Sequence, residues 1–298
     1  MDRIDLHTHS NHSDGSLSPR RLVELARERG LRAIALTDHD TISGVAEAVA
    51  AGRELGVEVV PGVEISAQFT PGTMHILGYY ISFTQSPLVA ALQRLQRARA
   101  HRNPKIIDRL LSLGLEITRT EVESLAGGQV GRPHIAQALV NRGYVANLDE
   151  AFDLYLKKGA PAYVEKFRFS PRQSIDIIRS AGGLAALAHP YTIGVEDPEN
   201  LTRLLQELQN AGLEGIEVFY PEHSEEMTAH YREIASELGL LCTGGSDFHG
   251  DFKDGSSLGG ETTGPFGYNH LQAVKDRLAQ REHGGPDGVP KGKAGCHG

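Results

Sequence analysis

Residues 4–30 read IDLHTHSNHSDGSLSPRRLVELARERG, and this stretch carries the plan of the chain. Ile4–Leu6 is a short apolar strand. A polar loop follows. Ser18-Pro19 then caps and starts a helix that ends at Gly30, with proline in the first turn, where a missing N–H costs nothing. The order returns in Ala33–Leu36 and a helix over Val45–Leu55 stopped by Gly56, then in strand regions at 57–65 and 76–81. Further along, a helix at 171–181 precedes a strand at 184–188, and a helix near 198–211 precedes a strand at 215–219. A helix over 222–238 leads to a strand at 240–243, and a last helix spans 269–282. Strands alternating with helices predict a parallel sheet, and about seven of them predict an α/β barrel of irregular form. From 87 onward helical periodicity dominates with no strand, broken at Asn103-Pro104, which predicts a helical insertion. The expected division is 1–86 and 165–283 for the two parts of the barrel, 87–164 for an insertion that caps the substrate, and 284–298 for a Gly/Pro/Lys-rich flexible tail.

Composition narrows the function. The chain has 298 residues, 40% of them hydrophobic, enough for a large core. No run approaches the ~18 consecutive apolar residues of a membrane span, and the first residues are too polar for a signal peptide. A cytoplasmic protein without membrane contact is expected. Cys242 and Cys296 make neither a disulfide framework nor a CxxC metal motif. A net charge of −8 argues against broad binding to nucleic acid, but leaves room for a small phosphorylated substrate in a local basic pocket. Histidine is the outlier, with 14 residues.

Those histidines fall at strand ends. Loops after strands ordinarily lean on Gly, Asn, Ser and Pro, yet DLHTHSNHSDG (5–15) holds three histidines and two aspartates. His7 and His9 are two apart, so on an extended backbone they share a side. Asp38 and His39 follow the second strand in LTDHD, Glu64 ends the third in PGVEIS, His189 follows the strand at 184–188, and Asp247 and His249 follow the strand at 240–243 in GGSDFH. In a β/α barrel these positions ring the C-terminal mouth, where active sites are built. His75 begins its strand instead, which fits if that strand runs antiparallel or the barrel is distorted there. Asp14, Glu64 and Asp247 would repel one another if they converged without a cation. With His7, His9, His39, His75, His189 and His249 they suit two or three divalent ions, Mn²⁺ first, with Zn²⁺ or Fe²⁺ as alternatives.

The motifs DLHTHSNHSDG, LTDHD, PGVEIS, HILGY, AHP and GSDFH together resemble the PHP (polymerase and histidinol phosphatase) family of amidohydrolase-like hydrolases. The resemblance covers about 1–84 and 165–260 and implies a distorted seven-stranded TIM-like barrel. It implies that His7, His9, Glu64 and Asp247 hold one ion, that Glu64, His75 and His189 hold a second, and that Asp14, His39 and His249 hold a third. Asp38 and Asp40 would orient these ligands, or else cap the following helix. Within the family, the short chain and the insertion's GRPHIAQAL (131–139) resemble the bacterial nucleoside 3′,5′-bisphosphate phosphatases and the related oligonucleotide-trimming hydrolases.

Arg132 and His134 are accordingly expected to bind phosphate at a helix N-terminus, with Lys105 as a further contact and Arg168 and Tyr191 as lesser candidates. The expected reaction is attack on phosphorus by a hydroxide formed at the ions that His7, His9, Glu64 and Asp247 hold. The expected substrate is a nucleoside 3′,5′-bisphosphate, and by extension short 5′-phosphorylated single-stranded RNA, with no stable protein partner. A histidinol-phosphate phosphatase would share the ions but have no need of the insertion. An amidohydrolase acting on C–N bonds would have no use for an anion pocket.

Overall fold

The computed structural model describes residues 3–84, 86–195, 197–252, 257–260 and 265–283; the expected tail at 284–298 lies outside them. In chain order the elements are β1 (Ile4–Thr8), α1 (Pro19–Glu28), β2 (Ala33–Leu36), α2 (Val45–Leu55), β3 (Glu58–Ala67) and β4 (Met74–Tyr79). Then come α3 (Ser86–Ser112), α4 (Arg119–Ser124), α5 (Arg132–Asn141), α6 (Leu148–Ala151), which runs into a π-helical turn to Leu156, and α7 (Pro171–Ser180). The chain continues through β5 (Leu184–Leu187), α8 (Pro198–Asn210), β6 (Gly215–Phe219), α9 (Glu225–Leu238), β7 (Leu241–Gly244) and α10 (Tyr268–His283).

The seven strands form one curled sheet in sequence order. β1, β2 and β3 are parallel, as are β5, β6 and β7, while β4 is antiparallel to both of its neighbours. That reversal explains His75: the start of an antiparallel strand lies at the same end of the sheet as the finish of its parallel neighbours. The segment after β7 returns to β1, where Thr8 and Phe248 form a parallel bridge. The fold is thus a distorted TIM-like barrel of seven strands.

Apolar faces divide the core by element. α1 and α2 cover one side through Leu22, Val23, Ala26, Val45 and Ala48, packed with Ile34 and Leu36 of β2. α7, α8 and α9 cover the other side with β3 to β7. The insertion has a core of its own, built from Ile106, Leu110, Val122, Ile135, Leu139 and Leu156. α3 spans both cores, because Leu88, Leu92 and Leu95 in its first half pack with the barrel. The expected break at Asn103-Pro104 does not occur, and Pro104 sits inside α3. Proline deprives the carbonyl of Ala100 of its helical donor, but Ala100 is exposed, so water can take that bond.

Candidate metal centre

Two backbone pairings assemble the mouth of the barrel. The His7–His9 and Asp247–His249 segments run side by side: His9 N–H donates to Phe248 O (2.9 Å) and Phe248 N–H to His7 O (3.4 Å). His7 and His9 alternate to one side of β1, and the paired segment, turned at Asp247 by its positive φ, brings Asp247 and His249 to the same side. The chain beyond β2 likewise follows β3, with Asp40 N–H donating to Glu64 O (2.9 Å), and this sets His39 beside Glu64. Ala188 N–H donates to His75 O (3.1 Å), which sets His189 beside His75. The close approach of β7 to β1 requires glycine: a Cβ at Gly245 would lie 2.4 Å from His7 N. Asp40, His189 and Asp247 all take positive φ (55°, 22° and 50°), a conformation that side chains rarely adopt and that gathers at functional sites.

The structure brings together all nine residues expected from the sequence. Glu64 is the hub. Its Oε2 lies 3.2 Å from His7 Nε2, 3.2 Å from His9 Nε2 and 2.9 Å from His39 Nδ1, and its Oε1 lies 2.7 Å from His75 Nδ1 and 3.0 Å from His189 Nε2. Asp247 Oδ1 faces the same pair from across the site, 3.1 Å from His9 Nε2 and 3.3 Å from His7 Nε2. Asp14 stands on the far side, its Oδ1 3.5 Å from His249 Nε2 and its Oδ2 3.9 Å from His39 Nε2. Three groups have ligand atoms close enough to share an ion: His7, His9, Glu64 and Asp247; His39, Glu64 and His75; and His9, Asp14, His39 and His249. The first matches the expected set. In the second His39 stands where His189 was expected, and the third gains His9.

The donor chemistry fits cations. His7 Nε2, both nitrogens of His9, His39 Nδ1, Glu64 Oε2 and Asp14 Oδ1 are buried with no hydrogen-bond partner in proper geometry. Leaving so many buried polar atoms unpaired would cost roughly 1–3 kcal/mol each, and lone pairs converging on shared points are what an ion requires. The far nitrogens are held to match. His7 Nδ1 meets Glu217 (3.0 Å), His249 Nδ1 meets the carbonyl of Asp247 (2.8 Å), and His189 Nδ1 meets Thr192 Oγ1 (3.0 Å). With the proton on Nδ1, each Nε2 keeps its lone pair for the centre. Burial alone would push the Glu64 carboxyl up, but His39, His75 and His7 hold it well below the usual carboxylate range. Burial pushes His75 down to about 4, so it stays a neutral donor at physiological pH.

Asp38 and Asp40 do not cap α2, whose N-cap is Gly44 with no side-chain bond. Asp38 accepts from Ser10 N–H (2.7 Å), Ser10 Oγ (2.6 Å) and Ser13 Oγ (2.6 Å), anchoring the loop that carries Asp14. Asp40 accepts from Ser66 N–H (2.9 Å), Arg99 (2.5 Å) and Lys166 Nζ (2.9 Å).

Arg99 and Lys166 open onto a second feature. Arg102 is buried (4% exposed), and among the described residues its guanidinium donates only to Asn103 Oδ1. Burial and the nearby charges of Arg99, Arg132 and Arg168 push it well below the usual arginine range. Arg132 donates to Leu156 O (3.1 Å) and lies over the rings of Phe152 and Tyr163. His134 is buried, and its Nδ1 accepts from Gly131 N–H (2.9 Å), closing the start of α5. Lys105 is exposed on α3, and among the described residues no hydrogen bond or ion pair joins it to this cluster. Arg168 is tied to Glu165, and Tyr191 to Glu222.

Sequence reading missed Glu217, Arg99, Arg102, Lys166 and Tyr220, whose hydroxyl donates to Asp247 Oδ2 (3.0 Å). Glu217 had a signal: it is a lone carboxylate inside the apolar strand GIEVF. No helix among the described residues is long and apolar enough to cross a membrane.

The PHP domain family profile matches residues 5–268. A 5′-3′ exoribonuclease of Haemophilus influenzae is 35% identical, covering 83% of this chain and 90% of its own. A 3′,5′-nucleoside bisphosphate phosphatase of Chromobacterium violaceum is 33% identical (87% and 91%), and a phosphoribosyl 1,2-cyclic phosphate 1,2-diphosphodiesterase of Eggerthella lenta is 36% identical (83% and 94%). Among solved structures, an amidohydrolase from Chromobacterium violaceum with bound sulfate superposes with a TM-score of 0.84 at 32% identity, covering 92% of this chain and 96% of that one.

Proposed function

Because the chain belongs to the PHP family and is a metal-dependent phosphoesterase, we propose that it removes the 3′-phosphate of nucleoside 3′,5′-bisphosphates. The observation that carries this reading is the buried cationic cluster beside the metal centre. Arg99, Arg102, Arg132, Arg168 and Lys166 gather there in a chain whose net charge is −8. Asp40, with a single negative charge, pairs with two of them, Arg99 and Lys166, and Glu165 pairs with Arg168. Arg102 makes no ion pair among the described residues, the Asp40 charge near it is already shared by Arg99 and Lys166, and burying such a charge without its own anion is expensive. A dianionic phosphate would supply the missing charge. The reacting ester then lies at the metal centre while the remote 5′-phosphate is held by Arg102 and Arg132, with His134 beside them.

In this reading the ligand groups are the three described above, and the imidazole and carboxylate mixture favours Mn²⁺, with Zn²⁺ or Fe²⁺ as alternatives. When bound, such ions polarise phosphoryl oxygens and make water acidic enough to attack near neutral pH. The protein's own contribution is geometry. Glu217, Thr192 and the Asp247 carbonyl fix the tautomers of His7, His189 and His249, and Tyr220 turns Asp247 Oδ1 inward. Asp40 joins the two sites, since it follows His39 and holds Arg99 and Lys166. Residues 87–164 act as the cap that carries the remote-phosphate contacts. Short 5′-phosphorylated RNA presents the same 3′-oxygen bond, so it is a second substrate of the same site.

Comparing adenosine 3′,5′-bisphosphate with adenosine 3′-phosphate tests the reading. The bisphosphate is expected to be hydrolysed with a kcat/KM higher by at least ~100-fold, because the remote phosphate orients the ester. Equal values would remove the reason for the anion pocket. A phosphoribosyl cyclic phosphate belongs in the same assay, given the Eggerthella lenta relative.

A pH dependence follows from Lys166, which burial and the neighbouring arginines push down to about 7, against the pull of Asp40. The charged form adds to the positive field around the remote phosphate, so affinity is full near and just below that value and falls as pH rises through it. Calorimetry with adenosine 5′-phosphate should show binding weakening between pH 7 and 9, where the phosphate is already a dianion. Lys166→Arg should remove that decline. A decline unchanged in the variant would assign it to another group.

A further inference from the structure

The Asn11–Asp14 loop, which brings one carboxylate to the metal centre, is clasped by the insertion through glycines. A Cβ at Gly128 would lie 2.9 Å from both the Cα and the carbonyl oxygen of His12. Those are backbone atoms and cannot swing aside. At Gly127 a Cβ would lie 2.5 Å from Asn11 Nδ2 and 2.7 Å from its Cγ. Gln129 N–H donates to His12 O (3.2 Å), so the two loops are hydrogen-bonded as well as packed. Gly131 then comes up against Asp14, its Cβ position 3.7 Å from the Asp14 Cβ. The next residue, Arg132, begins α5 and belongs to the cationic cluster. A few residues of chain therefore run from the back of a ligand-bearing loop straight into the proposed remote-phosphate site.

The loop has an anchor on its other side, where Asp38 holds Ser10 and Ser13. Asp14 itself is the loosest of the three carboxylates. Its nearest imidazole nitrogen is 3.5 Å away, against 2.7 Å for Glu64 and 3.1 Å for Asp247. Small displacements of this loop thus matter most for the group of His9, Asp14, His39 and His249. We propose that Gly127–Gly131 is a positioning strap: it sets Asp14 against His39 and His249, so that the ion of that group is held tightly only while the insertion is docked on the barrel. The proposal rests on the metal-centre reading above, and it adds that the insertion takes part in metal binding as well as substrate binding.

The test is metal affinity, which can be read without substrate. In Gly128→Ala the new methyl must move the strap from His12 by several tenths of an ångström. Competition titration of Mn²⁺ against a chromophoric chelator should show the weakest site of the native protein loosened by at least ~10-fold, with the tighter sites unchanged. Elemental analysis after gel filtration should show about one ion fewer per chain, while circular dichroism shows an intact fold. Gly127→Ala should give a similar loss, because the Asn11 amide can swing aside but its Cβ, 2.9 Å away, cannot, and Asn11→Gly in the same chain should restore the site by removing the clash. This pair decides the matter if Gly128→Ala does not fold. Native affinities at every site in a folded Gly128→Ala, or no rescue by Asn11→Gly, would overturn the strap. Absence of any Mn²⁺ uptake by the native protein would overturn the metal-centre reading, and the strap with it.

Discussion

Asp247→Asn is expected to lower hydrolysis of adenosine 3′,5′-bisphosphate by at least ~1,000-fold while leaving the fold intact. Asp247 Oδ1 faces His7 Nε2 and His9 Nε2 opposite Glu64, so the group of four loses one of its two negative charges. Asparagine keeps the shape, and its amide oxygen can still accept from the Tyr220 hydroxyl, which donates to Oδ2 in the native chain. An amide contributes no net charge to an ion, and ion-assisted charge stabilisation is worth several kcal/mol in the transition state. Thermal melting of the ion-free proteins separates this effect from misfolding. Without ions the substitution relieves repulsion between buried carboxylates, so the variant should melt no lower than the native chain. Steady-state kinetics with matched metal analysis checks the rate. A variant that keeps a tenth of the native activity would place the chemistry elsewhere.

Arg102→Met is expected to have the second largest effect, and a selective one. Methionine preserves the buried apolar stem and removes a charge that burial and three neighbouring arginines already destabilise. The variant should therefore be as stable as the native protein or more so. A charge-assisted hydrogen bond to a buried phosphate is worth roughly 1.5–3 kcal/mol, so kcat/KM for the bisphosphate should fall by about 10- to 150-fold. Hydrolysis of adenosine 3′-phosphate, which has no 5′-phosphate to lose, should change little, and metal content not at all. Equal losses on both substrates would show that Arg102 supports the reacting phosphate or the fold. Arg132→Ala should follow the same pattern with a smaller loss, since its guanidinium is already shared with Leu156 O.

Much of this was legible in the sequence because metal ligands must be histidine or carboxylate and must sit where strands end. His7, His9, His39, His189, Asp247 and His249 follow that rule, and His75 obeys it once β4 is seen to run antiparallel, whereas Glu64 lies inside β3, which continues to Ala67 in its pairing with β4. Pairwise sharing was less legible. His39 reaches Glu64 and His75 because the chain beyond β2 stays hydrogen-bonded to β3, a register that spacing does not reveal. The anion pocket was half hidden. GRPH stands out as a motif, whereas Arg99 and Arg102 lie in RLQRARAHR, which reads as one solvated basic helix face. Only the packing of α3 against the barrel shows that these two are buried while Lys105 is exposed. Pro104 misled in the opposite direction, because whether its lost hydrogen bond breaks a helix depends on water reaching the carbonyl it frees.

The most direct measurement is the fate of the 3′-phosphate in adenosine 3′,5′-bisphosphate labelled at that position and incubated with the native protein and Mn²⁺. With the ester at the metal centre and the 5′-phosphate among the arginines, the label should leave as inorganic phosphate and the nucleoside should be recovered as adenosine 5′-phosphate. Recovery of labelled adenosine 3′-phosphate would mean that the opposite bond is cut, and would contradict the arrangement of the two sites.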